Sequence, residues 1–174
     1  MAEAALQRLL DEAACRRILM RYGPALDWHD MEALQDLFWP DAMLDYGFIS
    51  GSALKCLPIL LGADKGAQRR FHLIGGEVLT WAGNDVAHAE SCGITQAIAV
   101  TGSGQTSSVF YGRYLDRFER RSSEWRIASR RYLLHGVYTG PYVEADAIAG
   151  LPKADGLGPL HPLFHWKTQS GGTP

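Results

Sequence analysis

FHLIGGEVLTWAGNDVAHAESCGITQAIAVTGSGQTSSVFYGRYLDRFERRSSEWRIASRRYLLHGVY, residues 71–138, reads as four strands in succession, at about 71–81, 85–100, 106–119 and 125–138. Turn residues separate each pair: Gly83-Asn84-Asp85, then Thr101-Gly102-Ser103-Gly104, then Arg121-Ser122-Ser123-Glu124. Links this short between strands this long imply an antiparallel meander. The run Gly102-Ser103-Gly104 is followed by another strand and not by a helix, so it reads as a hairpin turn rather than a phosphate cradle.

Upstream of the meander the texture is helical. Leu6, Leu9, Leu10, Ala13, Ala14, Ile18 and Leu19 recur at helical spacing, which predicts an amphipathic helix over residues 4–22. Gly23-Pro24 should kink or end it. Asp30 is placed to cap a second, short helix ending near Trp39-Pro40. Met43 to Ile49 reads as a strand, and Ser52 opens another short helix that Pro58 could interrupt and that ends near Gly62. Helices first and a curved meander afterwards is an α+β order. Residues 1–139 are expected to form one domain. Residues 140–174, rich in Gly and Pro, read as its C-terminal arm or lid.

Composition narrows the function. With 174 residues and 47% hydrophobic content, the chain can bury a core and still keep a pocket. A formal net charge of -2 offers no broad footprint for nucleic acid. The pairs Arg120-Arg121 and Arg130-Arg131 read as a solvated strand face. Cys15, Cys56 and Cys92 are odd in number and follow no CxxC pattern, so neither a zinc site nor a disulfide framework is expected. No metal or other cofactor is expected. His161 and His165 have the spacing of helical metal ligands, but Pro162 and the surrounding Gly and Pro argue against a helix. The N-terminus does not read as a signal peptide, and no run of apolar residues is long enough to span a bilayer. A cytoplasmic protein without a membrane partner is the expectation.

Three residues could carry chemistry. Asp27 follows the first helix, His72 begins the first long strand, and Tyr46 lies in the early strand. Each has a plain structural reading: a capping aspartate, a structural hydrogen-bond donor, and a core ring with its hydroxyl satisfied. Together they read differently. An imidazole beside a carboxylate is a tuned base. A phenol nearby can donate to a developing oxyanion. Gly-x-Ser-x-Gly is absent, so nothing points to a serine nucleophile. His88 and His135 lie on strand segments without an evident partner, and His29 reads as a solvated turn residue.

Arg21-Tyr22, Ala25-Leu26-Asp27, Leu44-Asp45-Tyr46-Gly47, Phe71-His72-Leu73-Ile74-Gly75-Gly76 and the closing run from Gly112 to Ile127 give the chain a family likeness. It resembles the SnoaL-like group of the nuclear-transport-factor-2-like superfamily, and within it the scytalone dehydratases, over about residues 5–138. The resemblance implies a cystatin-like cone: N-terminal helices packed on a curved antiparallel sheet that encloses a pocket. It implies a dyad of Asp27 and His72, with Tyr46 and Tyr22 assisting, the latter by its match to a tyrosine of the bile-acid dehydratases. Gln96, Tyr114 and Tyr132 are the expected substrate contacts. Gln96 stands near the second pocket histidine of scytalone dehydratase, Gly112 and Tyr114 near its serine and asparagine, and Leu26 at its tyrosine, so scytalone itself is not the expected substrate. The expected activity is a cofactor-independent dehydratase or related β-elimination. The substrate would be a small to medium apolar, cyclic carbonyl compound, and the assembly a homo-oligomer, a trimer ahead of a dimer. The alternatives are a ketosteroid-type isomerase, a ligand-binding protein, and the non-catalytic small subunit of a ring-hydroxylating dioxygenase.

Overall fold

The computed structural model describes residues 2–63, 67–102, 104–142 and Gly150. Helix α1 (Ala2–Asp27) is followed by α2 (Met31–Asp36), β1 (Phe38–Asp45), β2 (Ser50–Ser52) and α3 (Ala53–Gly62). Four long strands then run as β3 (Ala67–Trp81), β4 (Val86–Thr101), β5 (Gly104–Arg121) and β6 (Glu124–Tyr142). The meander of β3 to β6 is antiparallel throughout, as the turn chemistry requires. The sheet as a whole is mixed, which corrects the all-antiparallel expectation. Its order is β2-β1-β6-β5-β4-β3, and β1 lies parallel to β6. This pairing connects an early strand to the last one, and no local turn signal encodes it.

Helix α1 continues past Gly23-Pro24 for one more turn and ends at Asp27. Pro24 removes one helical hydrogen bond, but the preceding turn is closed against the sheet by buried Leu19, Tyr22 and Leu26. Asp30 caps α2 as expected, its Oδ1 accepting from Ala33 N at 2.9 Å. Phe38-Trp39-Pro40 belongs to β1 and not to a helix end. Phe38 is buried and aligned with Ile127 of β6, while Trp39 Nε1 donates to the Glu119 carbonyl. The strand ends at Asp45, short of the expected Ile49. Tyr46 N donates to the Ile49 carbonyl at 2.8 Å, and Gly47 takes φ 77°, so residues 46–49 form a tight turn. Pro58 sits inside α3 without ending it.

The core lies between the helices and the inner face of the sheet. Ile18, Leu19, Leu34, Leu37, Phe38, Leu44, Leu57, Phe118 and Ile127 are all buried there. Each such side chain contributes about 1.5–3 kcal/mol when removed from water. At one end of α1, buried Asp11 accepts from Trp125 Nε1 at 2.9 Å and Arg120 Nη1 at 3.1 Å, which pins the helix to the β5–β6 hairpin. Cys15, Cys56 and Cys92 are free thiols, and burial pushes that of Cys15 up to about 12. No helix among the described residues is long and apolar enough to cross a membrane. The arm assigned to residues 140–174 lies outside the described residues beyond Tyr142, apart from Gly150, and so do His161 and His165.

Candidate active site

The last turn of α1 meets β3 at His72. Gly23 makes this approach possible: a Cβ there would stand 3.0 Å from the His72 carbonyl oxygen and 3.1 Å from its Cβ. One turn further on, the Asp27 carboxylate takes hold of His72 twice. Oδ2 accepts the backbone N–H at 3.0 Å, and Oδ1 lies 2.6 Å from Nδ1. A carboxylate accepts but does not donate, so Nδ1 carries the proton, and in the neutral ring the lone pair lies on Nε2. Asp27 is buried and stands behind the ring, while His72 itself lines a cavity of about 260 Å³. Asp27 is not among the residues that line this cavity and acts on it only through His72.

Below the dyad, phenols cluster. The hydroxyls of Tyr22 and Tyr46 are 2.6 Å apart. Tyr46 stacks on Tyr132 with ring centroids 5.8 Å apart, and Tyr132 lies 5.0 Å from Tyr114. Tyr22 meets Tyr114 edge-on at 5.6 Å. Burial pushes the phenols of Tyr22, Tyr46 and Tyr114 up. The Arg130 guanidinium, 4.1 Å from the Tyr22 ring centre, pulls the Tyr22 value part of the way back. These hydroxyls therefore remain protonated donors across the ordinary pH range.

Asp116 carries no local motif in the sequence, and Arg130 reads there as a solvated charge. They are directly opposite on β6 and β5, both side chains fully buried, and joined by two hydrogen bonds of 2.7 and 2.8 Å. This corrects the solvated reading of Arg130. Arg131, the next residue, does face solvent and pairs with Asp45. Burial works against the Arg130 charge, but Asp116 outweighs it and holds its pKa well above the ordinary value. The strand period carried the missed signal. Gly112, Tyr114, Asp116 on β5 and Arg130, Tyr132 on β6 occupy alternate positions, hence one face.

The remaining wall comes from Leu26, Phe48, Leu60, Ala63, Arg70, Thr95 and Phe110. Thr95, not Gln96, is the β4 residue facing this cavity, since it is the register partner of His72. Gln96 points to the opposite face, where its side chain donates to Ser107 Oγ at 3.0 Å. The alternation of side chains along a strand makes that a one-residue correction. His29 adopts φ 54° in the turn after α1 and approaches Arg70, with its Nε2 3.4 Å from Nη2. His88 and His135 are exposed on their strands. No group of three or more His, Cys, Asp or Glu side chains able to hold a metal occurs among the described residues. A larger open groove of about 660 Å³ runs between α1 and α2, but it is lined by Arg16, Arg17, Arg21 and small apolar residues and contains none of the dyad.

Solved structures with this architecture include a hexachlorocyclohexane dehydrochlorinase, LinA type 2. It matches with a TM-score of 0.74 at 17% identity, covering 84% of this chain and 99% of that one. A scytalone dehydratase-like protein from Novosphingobium aromaticivorans matches with a TM-score of 0.68 at 18% identity, over 86% of this chain and 99% of the other. A nuclear-transport-factor-2-like protein with a cystatin-like fold, also from Novosphingobium aromaticivorans, matches at 0.64 with 25% identity, over 77% and 88%. No curated protein matches the sequence. The helices packed on a curved sheet are thus the cystatin-like arrangement, with the sheet left open. The SnoaL-like domain family matches residues 7–131, and the chain belongs to that family.

Proposed function

We propose that this protein is a lyase that needs no cofactor and eliminates water, or a comparable leaving group, from a cyclic carbonyl compound. The observation that carries the reading is the 2.6 Å contact between Asp27 and His72 Nδ1 at the wall of a largely aromatic cavity. In this reading His72 Nε2 removes a proton from the carbon beside the carbonyl. Asp27 holds the tautomer and stabilises the imidazolium that forms. The Tyr22–Tyr46 hydroxyl pair donates to the carbonyl oxygen as it gains charge, or to the departing hydroxyl. Once the leaving group has taken the proton from His72, the base is regenerated and the product is an enone. The dehydrochlorinase and the dehydratase-like protein that share the fold carry elimination reactions in their names, which is consistent with such chemistry.

The test is a cyclic β-hydroxy ketone whose dehydration produces the ultraviolet absorption of an enone. The purified protein should accelerate this conversion, and His72→Ala should abolish the acceleration while circular dichroism and the thermal midpoint stay near wild type. Retention of most of the rate by His72→Ala would remove His72 as the base and with it the elimination reading.

A further inference from the structure

We propose that the cavity admits a neutral compound of one ring or two fused rings, and that Tyr132 sets this size limit. The inference rests on the elimination reading and adds a substrate class to it. At about 260 Å³ the space is smaller than the about 300–1,000 Å³ typical of sites that enclose drug-sized ligands. A one-ring or two-ring compound can be largely enclosed there, whereas a four-ring skeleton would have to extend beyond it.

The floor explains the small volume. Gly93 of β4 and Gly112 of β5 face each other in register on the inner side of the sheet. A Cβ at Gly93 would lie 2.5 Å from Tyr114 Cε2, and one at Gly112 would lie 2.7 Å from the Tyr132 hydroxyl oxygen. The missing side chains let both tyrosines lie across the strands, so their rings occupy the depth of the cone. Both tyrosines line the cavity, Tyr114 at 3% exposure and Tyr132 only partly buried. Tyr132, the more exposed of the two, therefore presents the larger ring surface to a ligand. Tyr46 and Phe110 add aromatic surface at the sides, which suits a flat, unsaturated ring.

The charges beside the cavity balance within the protein, Arg70 and Arg130 against the buried carboxylates of Asp27 and Asp116, which favours a neutral ligand. The Arg70 guanidinium donates to the carbonyls of Leu26 and Leu61, tying the ends of α1 and α3 to β3. That of Arg130 is clamped by Asp116. Both cations beside the cavity thus bond to protein acceptors, Arg130 through Nε and Nη2 but not Nη1, and a carboxylate entering would face phenols and a histidine backed by Asp27. A neutral carbonyl compound meets hydroxyl donors there instead.

Saturation-transfer NMR on the full chain with cyclohexenone, tetralone, testosterone and cyclohexanecarboxylate tests this without any need for turnover. Wild type should bind the one-ring and two-ring ketones, and testosterone at least about tenfold more weakly than tetralone. Tyr132→Ala should bind testosterone as well as tetralone; if that variant does not fold, Tyr132→Leu serves, and the wild-type cut-off is read independently of either. Testosterone binding to wild type on a par with tetralone overturns the size limit. Binding of the carboxylate overturns neutrality, and no binding by either small ketone overturns the ring assignment. A folded Tyr132 variant with an unchanged cut-off removes Tyr132 as the limiting residue. If the cut-off holds but His72→Ala keeps its elimination rate, the elimination reading falls and a ring-binding cavity remains.

Discussion

Asp27→Asn keeps the size of the side chain but changes what it can accept. The amide nitrogen cannot receive the Nδ1 proton, and no negative charge remains to favour the imidazolium. With the cyclic β-hydroxy ketone as substrate, the turnover rate should fall by about 10²–10⁴-fold, the usual weight of general-base catalysis. Tyr46→Phe removes one hydroxyl from the pair with Tyr22 and leaves the ring stack on Tyr132, so the loss should be nearer tenfold. Steady-state kinetics of the two variants side by side check the ranking. The phenols also predict a pH effect on stability. Burial raises Tyr22, Tyr46 and Tyr114 above their ordinary value of 10.0 in the folded chain. The folded state therefore holds these protons more tightly than the unfolded state. Their contribution is complete below about pH 10 and is lost as pH rises from there through the folded-state values. Urea midpoints measured from about pH 8 to 11 should be flat at first and then fall, and Tyr46→Phe should make the fall shallower. Arg130 gives a third expectation. Arg130→Met leaves Asp116 buried without its partner, which costs about 3–5 kcal/mol. Denaturant unfolding should show that loss, and adding Asp116→Leu should recover much of it.

At the scale of elements, the site depends on how closely α1 approaches β3. Gly23 is normally a cost inside a helix, about 1 kcal/mol relative to alanine. Here it removes the side chain that would press on the His72 backbone. Gly23→Val puts methyl groups against the His72 carbonyl and carries a β-branch into the helix as well. The helix should move away from β3, lengthening the Asp27–His72 contact. Activity is then expected to fall by more than tenfold even where the protein remains folded; crystallography of the variant would show whether the 2.6 Å contact is broken. Strands were the legible elements. All four meander strands follow from their turns; β4 is merely shifted by one residue, while β3, β5 and β6 run a few residues further than their hydrophobic pattern, because backbone pairing continues where side chains have become exposed. Phe38-Trp39-Pro40 was misread because strand pairing with β6, over eighty residues away in sequence, overrides a local proline signal.

For the whole molecule, the outer face of the sheet is the open question of assembly. Phe71, Leu73, Ile94 and Tyr111 lie next to one another across β3, β4 and β5, each about half exposed. A contiguous apolar patch of this kind is the place to expect an association surface. We expect a homo-oligomer, with three copies preferred to two. Light scattering at micromolar concentration should return a multiple of the 19.2 kDa chain mass, and Leu73→Glu with Ile94→Glu should lower it. A monomer mass for the wild-type chain would refute the assembly.

The sequence by itself determined the α+β order and the meander, because turn residues and apolar periodicity act over a few residues and are written locally; the pairing of Asp27 with His72, 45 residues apart, was implied by the family resemblance and not by any local pattern. Tertiary structure decided the rest. The parallel contact of β1 with β6 joins distant segments that carry no shared local signal. Strand register placed Thr95 rather than Gln96 toward the cavity, since neighbouring residues on a strand face opposite sides. Burial turned Arg130 from an expected surface charge into the partner of Asp116 beneath the tyrosines. A charge can be kept there only where folding brings its counter-charge into contact.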